Sequence, residues 1–357
     1  MEAGINSAIQ AFQTNYTDSV TVNIEFINDP TTDLGSNVTY YGTYSYQQYI
    51  TALWSRATSP NDTLALSHLQ IATNDPVIGG NQILLNLTQA RMMGLAPTNA
   101  YGSNNLDSII SLNMPVMNLT RPPRNSNYYD LVSVVEHEID EVLGTPSSLP
   151  ETSIISPPDL FRYNDNFDGN LKRVFTLIPV DAYFSVDGTN LWARYNTDPR
   201  GDYGDWWSAN DIFWAPPGVT PGPQVQDAFG DPGTIQDMAT NEMAVLDVIG
   251  YTLAVYSRPA PAISIVRSAA GSFTLSWSPN AAGFLLQEST NLLSGSWVAS
   301  ATGSNNPASI TMTATQKFYR LSAGATPAAI PAIALASQPQ TPVSFKLRSH
   351  ILHRRQP

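Results

Sequence analysis

Residues 130–144 read Asp-Leu-Val-Ser-Val-Val-Glu-His-Glu-Ile-Asp-Glu-Val-Leu-Gly. Leu131, Val134, Val135, Ile139, Val142 and Leu143 recur at helical spacing, Asn125, Ser126 and Asn127 offer N-caps just upstream, and Gly144 is placed to end the helix. The spacing predicts a buried or half-buried helix. Turned by about 100° per residue, it sets His137 and Glu141 one turn apart, with Glu138 beside them and Glu136 on the opposite, solvated side. An imidazole and a carboxylate so placed can hold one divalent cation, while a neighbouring carboxylate takes a proton from a water activated there. That is the chemistry of a metallohydrolase.

His137-Glu138-Ile139-Asp140-Glu141-Val142-Leu143-Gly144 resembles the His-Glu-x-x-His-x-x-Gly helix of zinc metalloproteases, with Glu141 in place of the second histidine and Ser147 where a third would fall. Further segments resemble a group of secreted bacterial zinc metalloproteases over roughly residues 5 to 252: Asp107–Asn113, Asp159–Tyr163, Ala182–Gly188, Gly201–Trp206 and Glu242–Tyr251. The resemblance implies an α+β, zincin-like domain with a mixed sheet and a central active-site helix. It implies zinc on His137 and Glu141, Glu138 as general base, and a protein or peptide substrate. Strand Ser108–Asn113, just before the helix, is the expected peptide-binding edge, with Ser108, Ile109, Ile110 and Ser111 as substrate-binding residues. Asp159 is the expected third ligand, as a carboxylate soon after the helix in a shared segment; capping a turn or pairing with Arg162 is its equal alternative.

The chain of 357 residues is long enough for two domains, and 42% hydrophobic residues suit a soluble globular protein. No run approaches the eighteen or so apolar residues of a membrane helix. With no cysteine, disulfide staples and thiolate chemistry are excluded. A net charge of −12, with every acid before position 289, is a poor match for nucleic acid. Met1-Glu2-Ala3-Gly4-Ile5 offers neither a basic start nor an apolar core, so a signal peptide is expected to be missing or already removed. The secreted, extracellular location therefore rests on the resemblance. A monomer is the default expectation.

Along the chain, residues 3–14 predict a helix and Val20–Ile27 a strand, while Tyr40–Tyr49 is expected to lead into an amphipathic helix through Trp54. A helix capped by Asp62 follows; its His68 is read as a surface residue. Residues 83–94 predict a strand and a short helix. Asn164–Asn170 reads as a polar turn in preference to a calcium loop, since Phe175 stands where the closing glutamate belongs. Strands are expected over 173–180 and 182–195, with a two-residue turn at Asp187-Gly188. Asp202, Asp205, Trp206 and Trp207 form an acidic-aromatic loop able to line a cleft or bind calcium, with tryptophan packing as the preferred reading. Residues 216–223 form a Pro/Gly loop and 240–249 a helix; Met238 and Met243 read as core as readily as a methionine turn.

The expected domains are 1–256, metalloprotease-like; 257–262, a linker; 263–323, a small fibronectin-type-III-like β-sandwich of short strands; and 324–357, a disordered basic tail carrying Lys346, Arg348, His350, His353, Arg354 and Arg355. The leading functional expectation is zinc-dependent endopeptidase activity. The alternative is a catalytically inactive secreted binding or adhesion protein with a degenerate metal site. Calcium on the same carboxylates ranks last, because imidazole is an unusual calcium ligand.

Overall fold

The computed structural model describes residues 1–164, 172–176, 181–208, 224–256, 262–269, 271–278, 284–292, 297–303, 305–311, 316–323, 345–346 and 350–354. The chain divides into two compact units, Met1–Ser257 with Thr341–Pro357, and Arg258–Gln340. The fold is mixed α+β. The predicted polar turn at 164–170 beyond Asn164, the Pro/Gly loop at 216–223 and most of the linker lie outside the described residues.

In the first unit the elements run α1 (Glu2–Asn15), β1 (Ile24–Asn28), β2 (Gly35–Ser45), α2 (Tyr46–Arg56), α3 (Pro60–Ser67), β3 (Gln82–Asn86), α4 (Leu87–Met92), β4 (Ser108–Leu112), β5 (Met117–Asn118), β6 (Tyr129–Asp130), α5 (Leu131–Leu143), β7 (Arg162–Asn164), β8 (Ala182–Phe184), β9 (Ala193–Arg194), β10 (Phe229–Gly230) and α6 (Thr240–Val248). Several elements differ from expectation, among them α3, whose N-cap is Ser59 with Asp62 at its third position. The lead-in to α2 is strand, not loop: β2 runs from Gly35 to Ser45, and its alternating burial favours the pleated conformation for this Tyr/Thr-rich segment. The predicted two-residue hairpin is a longer connection, since β8 ends at Phe184 and β9 begins at Ala193.

β2 is the spine of a mixed sheet. Its first half pairs antiparallel with β4, Asn37 opposite Ile110, and its second half with β3, Tyr41 opposite Asn86. β4 also pairs in parallel with β1, Ile24 opposite Ser108. Both hydrogen-bonding edges of Ser108, Ile109, Ile110 and Ser111 are therefore taken, and Ser108 and Ile110 are fully buried. This corrects the expected substrate edge: an interior strand has no free N–H or C=O row to offer a peptide.

The segment expected as a disordered tail supplies two more strands, β17 (Phe345–Lys346) against Tyr40–Tyr41, and β18 (His350–Arg354). The backbone of β18 lies between β2, with His350 opposite Asn37, and β10, with His353 opposite Phe229.

α5 is the central helix, and all thirteen of its residues are buried. Its N-cap is Asp130, not the upstream Asn125–Asn127: the Asp130 carboxylate accepts from Ser133 N and Ser133 Oγ, each at 2.9 Å, and pairs with Arg121 at 2.6 Å. Gly144 closes the helix at φ 124°, conformational territory that suits glycine, with its N–H on the carbonyls of Asp140 and Glu141. Leu131, Val135, Ile139 and Val142 join the main core.

The second unit holds two three-stranded antiparallel sheets: β11 (Ala262–Ala269), β12 (Ser272–Ser278) and β15 (Ala308–Thr311); and β14 (Val298–Ala299), β13 (Phe284–Ser289) and β16 (Phe318–Ala323). They share one small core built on Leu275, Trp277, Leu286, Ala308 and Ile310.

Candidate metal centre

On the β2-facing side of α5, His137, Glu138 and Glu141 form a buried group that could hold a metal ion. The His137 Nδ1 lies 2.9 Å from the Val225 carbonyl. A carbonyl only accepts, so Nδ1 carries a proton and Nε2 is the nitrogen turned to the site, able to bind a cation in the neutral imidazole. Nε2 stands 3.7 Å from Glu141 Oε1 and 3.9 Å from Asp205 Oδ2. Two ligands of one tetrahedral zinc ion sit about 3.4 Å apart, so these spacings need only a small inward adjustment.

Asn37, projecting from β2, fixes the two glutamates. Its Nδ2 donates to Glu138 Oε2 at 3.0 Å and, closely, to Glu141 Oε2, while its Oδ1 accepts from Thr39 Oγ1 at 2.8 Å and so sets which way the amide faces. Glu138 Oε1 and Glu141 Oε1 are left buried without a hydrogen-bond partner. A carboxylate oxygen sealed from water and unmatched is costly, and a cation is the partner that would repay both at once. Gly35 permits this approach: a Cβ there would fall inside the contact distance of Glu138 Oε1 and 2.9 Å from Val134.

The electrostatics match that crowding. Burial, then the charge of Glu141, pushes the Glu138 carboxyl well above its usual range, against the opposing pull of His137 and Asn37. Burial raises Asp205 as well, opposed by His137 and reinforced by Glu141. Burial disfavours a charged His137, but Asp205, Glu141 and Glu138 outweigh it and hold its pKa well above the ordinary histidine value. One imidazole faces more negative charge than it can neutralise.

Asp205 comes from the acidic-aromatic loop. The backbone of 205–207 is pinned on two sides, with Asn196 N on Asp205 O at 2.8 Å, Trp206 N on Gln226 O at 2.8 Å and Trp207 N on Arg194 O at 2.8 Å. Strand-like alternation then sends Asp205 toward the site and Trp206 into the core, where its Nε1 donates to Glu242 at 2.8 Å and its ring meets Tyr195 and Phe184. Gly204 lets this loop press against the chain leaving α5, since a Cβ there would lie 2.5 Å from Ser147 N. Gln226 Nε2 donates to Asp205 Oδ1 at 3.0 Å and lies 3.4 Å from His137 Nε2.

No protein-family model, curated protein or solved structure matches this chain significantly. The site therefore stands on its own geometry.

Asp159 does not join the group. Its Oδ2 accepts from Ser148 N, Ser148 Oγ, Ser156 N and Ser156 Oγ at 2.8–3.1 Å, and its Oδ1 from Ser147 Oγ at 2.5 Å. It completes a capping box after Ser156, so the expected third ligand is a structural cap. Ser147, at the position of a third histidine, serves that cap. Glu136 is buried, not solvated; it accepts from Met238 N at 2.8 Å, and burial raises its pKa to about 7. His68 is exposed at the end of α3. Sequence reasoning missed Asn37 and Gln226 altogether, and set Asp205 below Asp159. The alternation of Asp205 with Trp206 behind Gly204 was the available signal.

Proposed function

We propose that this chain is a secreted zinc-dependent endopeptidase whose metal is held by His137, Glu141 and Asp205, with Glu138 as general base. The observation that carries the reading is the buried group of His137, Glu138 and Glu141, in which Glu138 Oε1 and Glu141 Oε1 lack a hydrogen-bond partner and Glu141 Oε1 lies 3.7 Å from the oriented Nε2 of His137. Zinc bound there would polarise the scissile carbonyl and lower the pKa of a water toward about 7.

The protein's own groups supply the rest. Val225 holds the imidazole in the tautomer that leaves Nε2 free to bind. Asn37 ties down one oxygen of each glutamate, leaving Glu141 Oε1 3.7 Å from His137 Nε2 and Glu138 Oε1 packed beside Gly35. Glu138 Oε1 accepts the proton of the attacking water and returns it to the leaving amine, a task that suits a carboxyl whose pKa is raised by burial. Gln226 steadies Asp205. A ligand set with two carboxylates leaves the cation less electrophilic than a three-imidazole set would, which favours modest turnover. In the same reading the second unit is a fibronectin-type-III-like spacer or attachment module.

The test is cleavage of casein or of a peptide library by zinc-loaded protein. Cleavage that is lost in Glu138→Gln while zinc is retained supports the proposal. Zinc bound at about one equivalent with no cleavage by the wild type overturns it in favour of a binding protein.

A further inference from the structure

With both edges of β4 taken, the strand that borders the candidate centre is β2. Asn37 reaches from its first half to Glu138 and Glu141, and Gly35, two residues away on the same face, lies against Glu138. One edge of that half carries β4. On the other edge the partner among the described residues is β18, with Ile351 opposite Ser36 and Leu352 opposite Gly35. On its far side β18 pairs with β10, which follows closely on Val225 and Gln226, the residues that meet the ring nitrogens of His137. An extended backbone thus runs between the strand that bears Asn37 and the segment that orients His137. Strand addition holds a peptide in this way, through main-chain hydrogen bonds that accept many sequences.

The origin, grip and charge of β18 mark it as an occupant of this position. Arg258–Gln340 forms a compact unit of its own, and Thr341–Pro357 returns from it to the first unit. The grip is short: β18 meets β2 over Gly35–Asn37 and β10 over Phe229–Gly230, whereas β1 meets β4 along the whole of Ile24–Asn28. Residues 341–357 carry Lys346, Arg348, Arg354 and Arg355 and no acid, in a chain whose net charge is −12. The rest of the chain therefore attracts this segment, with a strength that salt reduces. A tether keeps it at an effective concentration of about millimolar, so a free peptide at micromolar concentration competes poorly until the segment leaves.

We propose that β18 is a tethered, displaceable occupant of a peptide-binding edge at Gly35–Asn37, and that the C-terminal segment thereby damps the chain's own activity. The effect on activity rests on the endopeptidase reading above; the occupancy does not. In the full chain, a recognition site for a sequence-specific protease is inserted between Gln340 and Thr341, and a cysteine added after Pro357, in a chain that has none, carries a fluorophore. The folded, zinc-loaded protein is cut, freed of that protease and diluted to nanomolar concentration. Fluorescence anisotropy should fall as the segment departs, while circular dichroism keeps its folded signal. Casein cleavage should rise about tenfold or more over the uncut protein, whose transient openings sustain a low basal rate. Synthetic peptide 341–357 should restore the low rate. The same peptide with Ile351→Pro and Leu352→Pro should not, because it lacks one N–H on each side of the strand. A segment that stays bound at nanomolar concentration, a folded signal lost on its departure, casein cleavage that fails to rise on release, or equal inhibition by both peptides overturns the proposal and leaves the metal-site reading intact. Release that opens a site for peptide 341–357 with no casein cleavage by either form overturns the endopeptidase reading and supports the occupancy.

Discussion

Asp159 and Asp205 are equally hidden, at 1% and 2% exposure, and both follow the central helix, yet their oxygens are committed very differently. Asp159 accepts five hydrogen bonds from Ser147, Ser148 and Ser156. Asp205 accepts one from Gln226 and turns its other oxygen to His137. Burial alone does not make a ligand. What counts is whether the oxygen's lone pairs are already committed to N–H and O–H donors, because a committed carboxylate would have to break those bonds before it could bind a cation.

The contrast is sharpest when each aspartate is removed. Asp205→Ala should lower zinc affinity by about a hundredfold or more, whereas Asp159→Ala should leave it within a few-fold and cost about 3 kcal/mol or more in stability, as the serine donors lose their acceptor. Paired zinc titrations and urea melts of the two variants check this. The reverse pattern, with zinc lost from Asp159→Ala and kept in Asp205→Ala, would break the comparison.

A change of intermediate size is expected at Glu138. Glu138→Gln keeps the shape and the bond from Asn37 Nδ2 but removes the base, so kcat should fall by about 10²–10⁴ with metal content unchanged. Asn37→Leu should act more gently, by about tenfold on metal affinity, since Asn37 aims the two glutamates without binding the ion. Equal losses in zinc from both variants would mean that Glu138 is a ligand and not the base.

The smallest effect lies far from the centre and involves an acid of the opposite type, buried without a cation to justify it. Asp247 in α6 is fully buried and accepts from Ser59 Oγ at 2.7 Å; burial, then the charge of Asp62, raises its pKa from 3.8 to about 7. Because the folded-state value is the higher one, the neutral form favours folding at low pH, and that contribution is lost as pH rises from about 4 through 7. Asp247→Asn should therefore raise Tm at pH 8 and change it little at pH 4, with each kcal/mol appearing as about 2–4 °C. Thermal melts at the two pH values decide it; a gain at pH 4 equal to that at pH 8 would contradict the assignment.

Local patterning made much of the scaffold legible. The periodicity of Leu131, Val135, Ile139 and Val142 located the central helix, Gly144 marked its end, and the alternation in 20–27 and 108–112 located two strands of the sheet. The partners of those strands were not legible, because register and order depend on contacts distant in sequence. β4 could not be told from an edge until β1 was seen on its far side. In the site, His137, Glu138 and Glu141 were readable as one helix face, since a single turn brings them together. Asn37 and Asp205 are 100 and 68 residues from His137, so only the folded sheet and the Gly204 turn could unite them with it. The sequence-near serine cap around Asp159 mimicked a ligand because spacing along the chain carries no account of hydrogen bonds already made.

Zinc-edge anomalous diffraction from crystals of the metal-loaded protein tests the central assignment most directly. The expected result is a peak about 2.0–2.2 Å from His137 Nε2, Glu141 Oε1 and Asp205 Oδ2. A peak coordinated by Asp159, or one bonded to His137 with Asp205 beyond reach, would contradict it.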